Sequence, residues 1–143
     1  MKFPYLKIPG IDPRKPWISR PIIPVIISHK DKSIRVNALI DSGADLCFFH
    51  YELGKRLGLN IEKGRLEDIT GIEGIRTPVW IHNITFQIVG SDHQIFMPVG
   101  FTKSPGVFAI LGQEGFFDAF RIKFERDHNV VEIVPVKKLS SSS

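Results

Sequence analysis

Asp41 is the residue of this sequence best placed to do chemistry. It opens the run Asp41-Ser42-Gly43-Ala44-Asp45 directly after an apolar segment, so a strand delivers a carboxylate into a turn that holds a hydroxyl and a glycine. Packing explains such an acid poorly, because aspartate is almost never fully buried unless it is paired. Aspartate also caps turns by accepting hydrogen bonds from the amides that follow it, and a bare Asp-Ser-Gly usually means only that. Other features of the sequence are needed to distinguish a turn cap from a catalytic acid at Asp41.

Two further features follow Asp41 along the chain. Gly71-Ile72-Glu73-Gly74 places two glycines in a small apolar loop, which predicts a glycine-tipped hairpin. Ile110-Leu111-Gly112 ends a buried-type strand on a glycine, and residues 113–120 can form a short helix behind it despite an internal glycine. The order is therefore an apolar pair with an acid turn, a glycine hairpin, and a second apolar pair with glycine.

In this order the motifs resemble the retropepsin family of retroviral-type aspartic proteases, over roughly residues 17–136. The chain looks like a single-domain bacterial or other cellular member. The resemblance implies an all-β fold, a closed acid-protease barrel with one or two short helices, assembled as a homodimer. Trp17-Ile18-Ser19-Arg20-Pro21 adds a shorter match to the opening strand of some retroviral proteases.

The resemblance also assigns roles to individual residues. It makes Asp41 the catalytic aspartate, with Ser42 tying together the two active-site loops and Gly43 approaching the substrate backbone. Gly112 would let the second strand pass close behind Asp41, and Arg20 would support the site by reaching Asp45 of the other subunit. Substrate binding falls to residues of the loop, the flap and the second apolar strand, namely Ala44, Asp45, Gly71, Ile72, Glu73, Gly74, Ile110 and Leu111.

One position departs from the family pattern. Retroviral members usually carry an arginine directly after the second apolar pair and glycine, whereas this chain has Gln113. A charged contact from that position to Asp45 is therefore lost. The departure leaves open how firmly the second half of a dimeric site is held.

The sequence contains a single Asp-Ser-Gly, so the resemblance requires the second carboxylate to come from another copy of the chain. Two carboxylates about 3 Å apart cannot both ionise, which is the established behaviour of aspartic-protease dyads. The pair would activate a water molecule to attack the carbonyl of a peptide bond, and no cofactor would be needed. The resulting hypothesis is an aspartic endopeptidase acting on peptides or proteins. The competing hypothesis is a retropepsin-fold module that dimerises or binds peptides without cutting them, although a binding module has no need of an acid in its cleft.

Other candidate sites are weaker. Cys47 and His50 lie three residues apart, but no third group that would orient a thiol nucleophile and its base is evident. The five histidines show no spacing typical of metal ligands, so no metal site is predicted. The Gly71/Gly74 loop lacks the Lys-Ser/Thr that follows in a phosphate-binding loop.

The elements that must position these residues are mostly short strands. An apolar segment over 21–28, a polar turn and an alternating segment over 34–40 predict two strands, the second running into Asp41. Residues 50–59 predict one helix, since Leu53 and Leu57 are spaced i,i+4. Further alternation, at 84–88, 95–99, 122–124 and 130–136, extends the sheet. The last of these strands and the 1–20 arm have the free edges expected to pair with another chain.

Composition bounds the remaining possibilities. At 143 residues with 43% hydrophobic content, the chain fits one domain, interpreted as an extended arm over 1–19, the protease domain over 20–139 and a disordered tail over 140–143. The net charge of +4 is scattered, which argues against nucleic-acid binding. Apolar runs are too short for a membrane span, and the N-terminus does not resemble a secretory signal. With one cysteine, a cytoplasmic location is expected.

Overall fold

The computed structural model describes residues 1–70 and 74–136, and its regular structure is nearly all β. One α-helix, α1 (Tyr51–Arg56), a 3-10 turn (Ile61–Lys63) and a wide helical turn (Gln113–Phe117) interrupt the strands. The strands are β1 (Lys2–Pro4), β2 (Leu6–Pro9), β3 (Trp17–Arg20), β4 (Ile22–His29), β5 (Lys32–Ile40), β6 (Phe48–His50), β7 (Arg65–Thr70), β8 (Arg76–Ile88), β9 (Gln94–Thr102), β10 (Ala109–Leu111), β11 (Phe120–Glu125) and β12 (Val130–Pro135). The predicted all-β class is confirmed.

Six of these strands close into a barrel. Their order is β4-β5-β10-β6-β9-β8, and β8 pairs back onto β4 through Val25↔Ile88 and the residues beside it. Most neighbours are antiparallel, but β10 runs parallel to β5 and β6 runs parallel to β9. Strand β7 lies outside the ring and forms a hairpin with β8. The hairpin of β7 with the start of β8 extends beyond the closed barrel.

Alternation of apolar and polar residues explains why these segments form strands. In β5 the side chains of Ile34, Val36, Ala38 and Ile40 are buried while most of the residues between them are exposed. β8 repeats the pattern with Ile84, Phe86 and Ile88, which are fully buried. Phe116 and Phe120 pack on Phe86 with ring centroids 5.8 and 6.2 Å away. These rings fill one end of the barrel.

The predicted helix over 50–59 forms, although it is shorter. His50 caps its N-terminus, because its Nδ1 accepts a hydrogen bond from the Glu52 amide at 3.1 Å. Leu53 and Leu57 are buried, as their spacing predicted. Gly58 follows with φ +79°, the left-handed conformation that ends many helices.

The expected helix over residues 113–120 is only partly formed. Gln113–Phe117 makes a wide helical turn in which Glu114 (ψ 124°) and Gly115 (φ 93°) depart from helical geometry. Gly115 donates its amide to Asp118 Oδ2 at 3.3 Å, and a Cβ there would lie 2.9 Å from Met97 Sδ. The turn therefore passes close to β9 at a glycine with left-handed geometry, and Phe120 already belongs to β11.

The terminal strands correct one expectation. β12 was expected to offer a free edge, but it lies between β1 and β11 in a three-stranded antiparallel sheet. The Met1 amino group donates to Ile133 O at 2.9 Å, and β2 pairs with β3 as a separate hairpin. Both edges of β12 are thus occupied within one chain, because the N-terminal arm folds back onto it.

Two sets of residues named in the sequence analysis, the loop residues Gly71, Ile72 and Glu73 and the tail over 140–143, lie outside the described residues. None of the helices among residues 1–70 and 74–136 has the length and hydrophobicity needed to cross a membrane. The boundary drawn between the arm and the domain stays a prediction.

Candidate active site

Asp41 lies at the end of β5, where the strand gives way to a tight turn. Its carboxylate Oδ1 accepts a hydrogen bond from the Gly43 amide at 2.9 Å, and its carbonyl accepts one from the Ala44 amide at 3.2 Å. The side chain is half-buried, while Ser42 and Gly43 are exposed. The carboxylate therefore caps its own turn and still has Oδ2 without a hydrogen bond to the described residues.

A second strand braces this turn from behind. β10 pairs in parallel with the end of β5 through Ile110↔Leu39 and Leu111↔Ile40, and the Asp41 amide donates to Leu111 O at 2.9 Å. A Cβ added to Gly112 would lie 2.2 Å from Leu46 O. Only glycine can occupy this position without displacing backbone, because the end of β10 approaches the backbone of the acid loop so closely.

The chain that follows Gly112 continues along the loop. The Gln113 amide donates to Ala44 O at 2.8 Å and the Glu114 amide donates to Asp45 O at 2.9 Å. The Gln113 side chain adds a third bond, from Nε2 to Ser42 O at 2.7 Å. The residue that replaces the family arginine is therefore bonded to the acid loop of its own chain, at Ser42 and not at the Asp45 carboxylate.

Cys47 lies in the same network but has the properties of a structural residue. It is fully buried, its Sγ accepts from the Gly112 amide at 3.4 Å, and it lies 3.7 Å from Glu114 O. Burial raises the pKa of the Cys47 thiol to about 11. Since His50 is engaged as a helix cap, the two do not form a nucleophile and base.

An apolar cavity of about 470 Å³ opens beside the acid turn. It is bounded by the turn, by β6 and β10, and by the two arms of the β7–β8 hairpin. Of the residues expected to bind substrate, Ala44 and Ile110 line it. The other lining residues are Phe48, Ile69, Ile75, Thr77, Val79, Thr102, Ser104 and Val107. A cavity with this lining suits an apolar side chain.

Sequence reasoning did not identify most of this lining. The β7–β8 hairpin was expected as a flap, and among its described residues Ile69, Ile75, Thr77 and Val79 line the cavity. Alternation in β8 could have supplied part of the signal, because Thr77 and Val79 lie two residues apart and therefore share one face of the strand, the face that lines the cavity. Ser104 and Val107 lie in an irregular turn that has no such pattern.

The remaining predicted site residues take various positions. Leu111 is fully buried behind the turn and does not line the cavity, whereas Asp45 is exposed. Gly74 has φ +75° in the hairpin connection, and a Cβ there would meet nothing within 4 Å. Arg20 is exposed and donates to the carbonyl of Ser19 at 3.0 Å. Across residues 1–70 and 74–136, no three His, Cys, Asp or Glu side chains are grouped so that they could hold a metal ion.

A closed barrel of six strands, with an acid turn braced by a parallel apolar strand and an apolar cavity under a hairpin, defines a single-lobed acid-protease domain. The chain belongs to the retroviral aspartyl protease family, whose model matches residues 18–116. The comparison with curated proteins found no match.

Solved structures agree on the fold. A retropepsin-like aspartic protease from Rickettsia conorii superposes with a TM-score of 0.63 at 12% identity, covering 94% of this chain and 98% of the other. The retroviral protease-like domain of Ddi1 from Leishmania major gives 0.57 at 17% identity, covering 85% and 99%. EIAV protease in complex with the inhibitor HBY-793 gives 0.53 at 24% identity, covering 69% and 86%. The family match confirms the predicted retropepsin-like family, and the solved structures confirm the predicted fold.

Proposed function

We propose that this protein is an aspartic endopeptidase that hydrolyses peptide bonds with a water activated between the Asp41 carboxylates of two subunits. The observation that carries the proposal is Asp41 itself, a half-buried acid at a strand end with one oxygen held by the Gly43 amide. A fixed carboxylate beside an apolar cavity is what water activation against a bound peptide requires. Two of the similar structures are named as proteases, which supports the same reading.

The chemistry follows from placing two such acids together. One carboxylate of the pair holds a proton and the other is charged, because two negative charges at contact distance repel. The charged acid removes a proton from water as the water attacks the peptide carbonyl, and the protonated acid donates to the oxygen that gains charge. No cofactor takes part in this reaction. The proton removed from water ends on the dyad and can pass to the leaving amine.

The proposal includes a homodimer, because one chain supplies one acid turn. The surface around the turn suits coverage by a partner, since Ser42, Gly43 and Asp45 are exposed. Two large apolar side chains near the cavity are also exposed, Ile75 by 63% and Phe108 by 60%. Exposed apolar surface of this kind typically marks an interface or a ligand site.

The cavity defines the class of substrate. Among the residues that the structure describes, its lining is dominated by Ile, Val, Phe and Ala side chains, and the polar side chains are those of Thr77, Thr102 and Ser104. We infer that it takes an apolar side chain next to the scissile bond, within a peptide or protein held under the β7–β8 hairpin. A single buried thiol at Cys47 fits a reducing compartment, which supports a cytoplasmic location.

The experiment that tests the proposal compares Asp41→Asn with the parent protein on a peptide library at acidic to neutral pH. Asparagine keeps the shape and the Gly43 contact but cannot accept the proton from water, so we expect cleavage to fall by about 10³-fold or more. Asp31→Asn is the matched control, because Asp31 is an exposed turn residue at the other end of β5.

Three outcomes are informative. Loss of cleavage in Asp41→Asn alone, with unchanged folding, supports the peptidase. Equal cleavage in Asp41→Asn and the parent contradicts it. A parent protein that binds apolar peptides with no cleavage at any pH would favour the peptide-binding module instead.

A further inference from the structure

We propose that Gln113 is a positioning residue for Asp41, acting through the peptide unit that joins Ser42 to Gly43. The inference rests on the proposed function, because it assigns Gln113 a part in preparing the same acid. It concerns the position at which this chain departs from the arginine of its family.

The Ser42–Gly43 peptide unit is held at both ends. Its carbonyl oxygen, on Ser42, accepts a hydrogen bond from Gln113 Nε2 at 2.7 Å. Its N–H, on Gly43, donates to Asp41 Oδ1 at 2.9 Å. A continuous chain of hydrogen bonds therefore runs from the Gln113 amide, through one peptide group, to the carboxylate of the candidate catalytic acid.

A chain of this kind can act in two ways. Donation to the carbonyl polarises the peptide group and strengthens its N–H as a donor, since linked hydrogen bonds reinforce one another. It also fixes the plane of the peptide, which would otherwise rotate in an exposed turn that contains glycine. Both effects hold Asp41 Oδ1 in place while Oδ2 is left for water or the partner acid.

Gln113 is well fixed for this task. Its backbone amide donates to Ala44 O at 2.8 Å, while its side chain donates to Ser42 O. Gln113 is therefore bonded to the loop at two carbonyls that lie two residues apart. The preceding Gly112 packs against the Leu46 carbonyl so closely that an added Cβ would lie 2.2 Å from its oxygen. Because every one of these contacts lies within one chain, the loop is braced before a second subunit binds.

The expected kinetic effect separates positioning from substrate binding. Gln113 does not line the cavity, so its loss should leave KM within about twofold and lower kcat by about five- to tenfold. The variant Gln113→Leu removes the donor with a similar volume. Gln87→Leu is the matched control, because Gln87 Nε2 also donates to a backbone carbonyl, that of Ser91, far along the chain from the acid turn.

Gln113→Glu provides the test that a merely structural role would not satisfy. As a carboxylate the new side chain repels Ser42 O, but once protonated, below a pH of about 4.3, it can donate to that oxygen. We expect the activity of Gln113→Glu relative to the parent to recover as pH falls through this range. The other acids close to the position, Asp41, Asp45 and Glu114, are common to both proteins, so the ratio isolates the substitution.

A readout independent of catalysis is the Gly43 amide in a ¹H–¹⁵N NMR spectrum. In Gln113→Leu we expect its resonance to shift and its hydrogen exchange to accelerate by about tenfold, with no change in Gln87→Leu. An unchanged Gly43 amide in Gln113→Leu, or unchanged kcat in an active enzyme, would overturn the inference. If the parent does not cleave peptides the proposed function fails separately, and the Gly43 amide still decides whether Gln113 positions the turn.

Discussion

Among single residues, Asp41 shows that a turn cap and a candidate catalytic acid, which the sequence analysis treated as alternatives, are compatible in one side chain. Asp41 caps its own turn by accepting a hydrogen bond from the Gly43 amide. This bond fixes the orientation of the carboxylate, and a fixed orientation is what a catalytic group requires. The tripeptide could be read from the sequence because strand, acid and glycine are adjacent. The bond from Gln113 Nε2 to Ser42 O and the bond from the Gly112 amide to Cys47 Sγ could not be read in this way, since they join residues 71 and 65 positions apart.

Cys47 should be nearly inert in the folded protein. A pKa raised to about 11, against 9.0 for an unperturbed thiol, reduces the thiolate at pH 8 by about 100-fold, and complete burial slows attack further. We expect labelling by a disulfide reagent to be at least about 100-fold slower in native buffer than in urea. The native rate should rise with pH up to about 11, since thiolate forms only as pH approaches the folded pKa.

The measurement is the absorbance of the released thiol at several pH values. Cys47→Ala provides the background because the chain has one cysteine. Labelling of folded protein at the unfolded rate at pH 8 would contradict the burial of this side chain.

Among the elements, the parallel pairing of β10 with the end of β5 positions the acid turn. The sequence indicated this pairing only through the resemblance, as two apolar pairs each followed by a turn. Local pattern could not show that the strands are parallel, because residues 39 and 110 meet only after the barrel closes. The same limit applies to the turn at residues 113–117, where Glu114 and Gly115 depart from helical geometry and a Cβ at position 115 would meet Met97 of β9.

Gly112→Ala tests the close approach of the end of β10 to the loop at residues 44–46. The new methyl group would lie 2.2 Å from Leu46 O and 2.5 Å from Ala44 O, so loop and strand must separate. We expect the free energy of unfolding to fall by about 1–3 kcal/mol and peptide cleavage to fall with it. Urea denaturation followed by fluorescence measures the first quantity.

Gly106→Ala is the control for this substitution. A Cβ there meets nothing within 4 Å and its φ is not positive, so stability should stay within about 0.5 kcal/mol. Equal stability of the two variants would mean that β10 does not pass as close to the loop as the structure shows.

In the molecule as a whole, the barrel could be predicted and the position of the arm could not. Alternation identified most barrel strands because each buries one face. Residues 1–19 are rich in proline and have no periodicity, so the pairing of β1 with β12 was beyond sequence reasoning. This pairing also removes the free edge that the last strand was expected to offer to a partner.

Phe3→Ala tests whether β1 belongs to its own chain. Phe3 is half-buried and packs against the core, so its truncation should lower the free energy of unfolding by about 1–3 kcal/mol without changing the dissociation constant of the proposed dimer. Denaturation and sedimentation measure the two quantities. Ile11→Ala, at a fully exposed position, should change neither. A weakened dimer with unchanged stability would instead place β1 on a neighbouring subunit.

The central claim is that two Asp41 carboxylates from two chains form one catalytic site. The most direct test adds Asp41→Asn protein to a fixed amount of parent protein and measures peptide cleavage. If each site needs both acids, an equal amount of the variant should lower the rate to about half, and a ninefold excess to about a tenth, as parent chains enter mixed dimers. A rate that stays constant while the variant is added would show that each chain acts alone and would contradict the account.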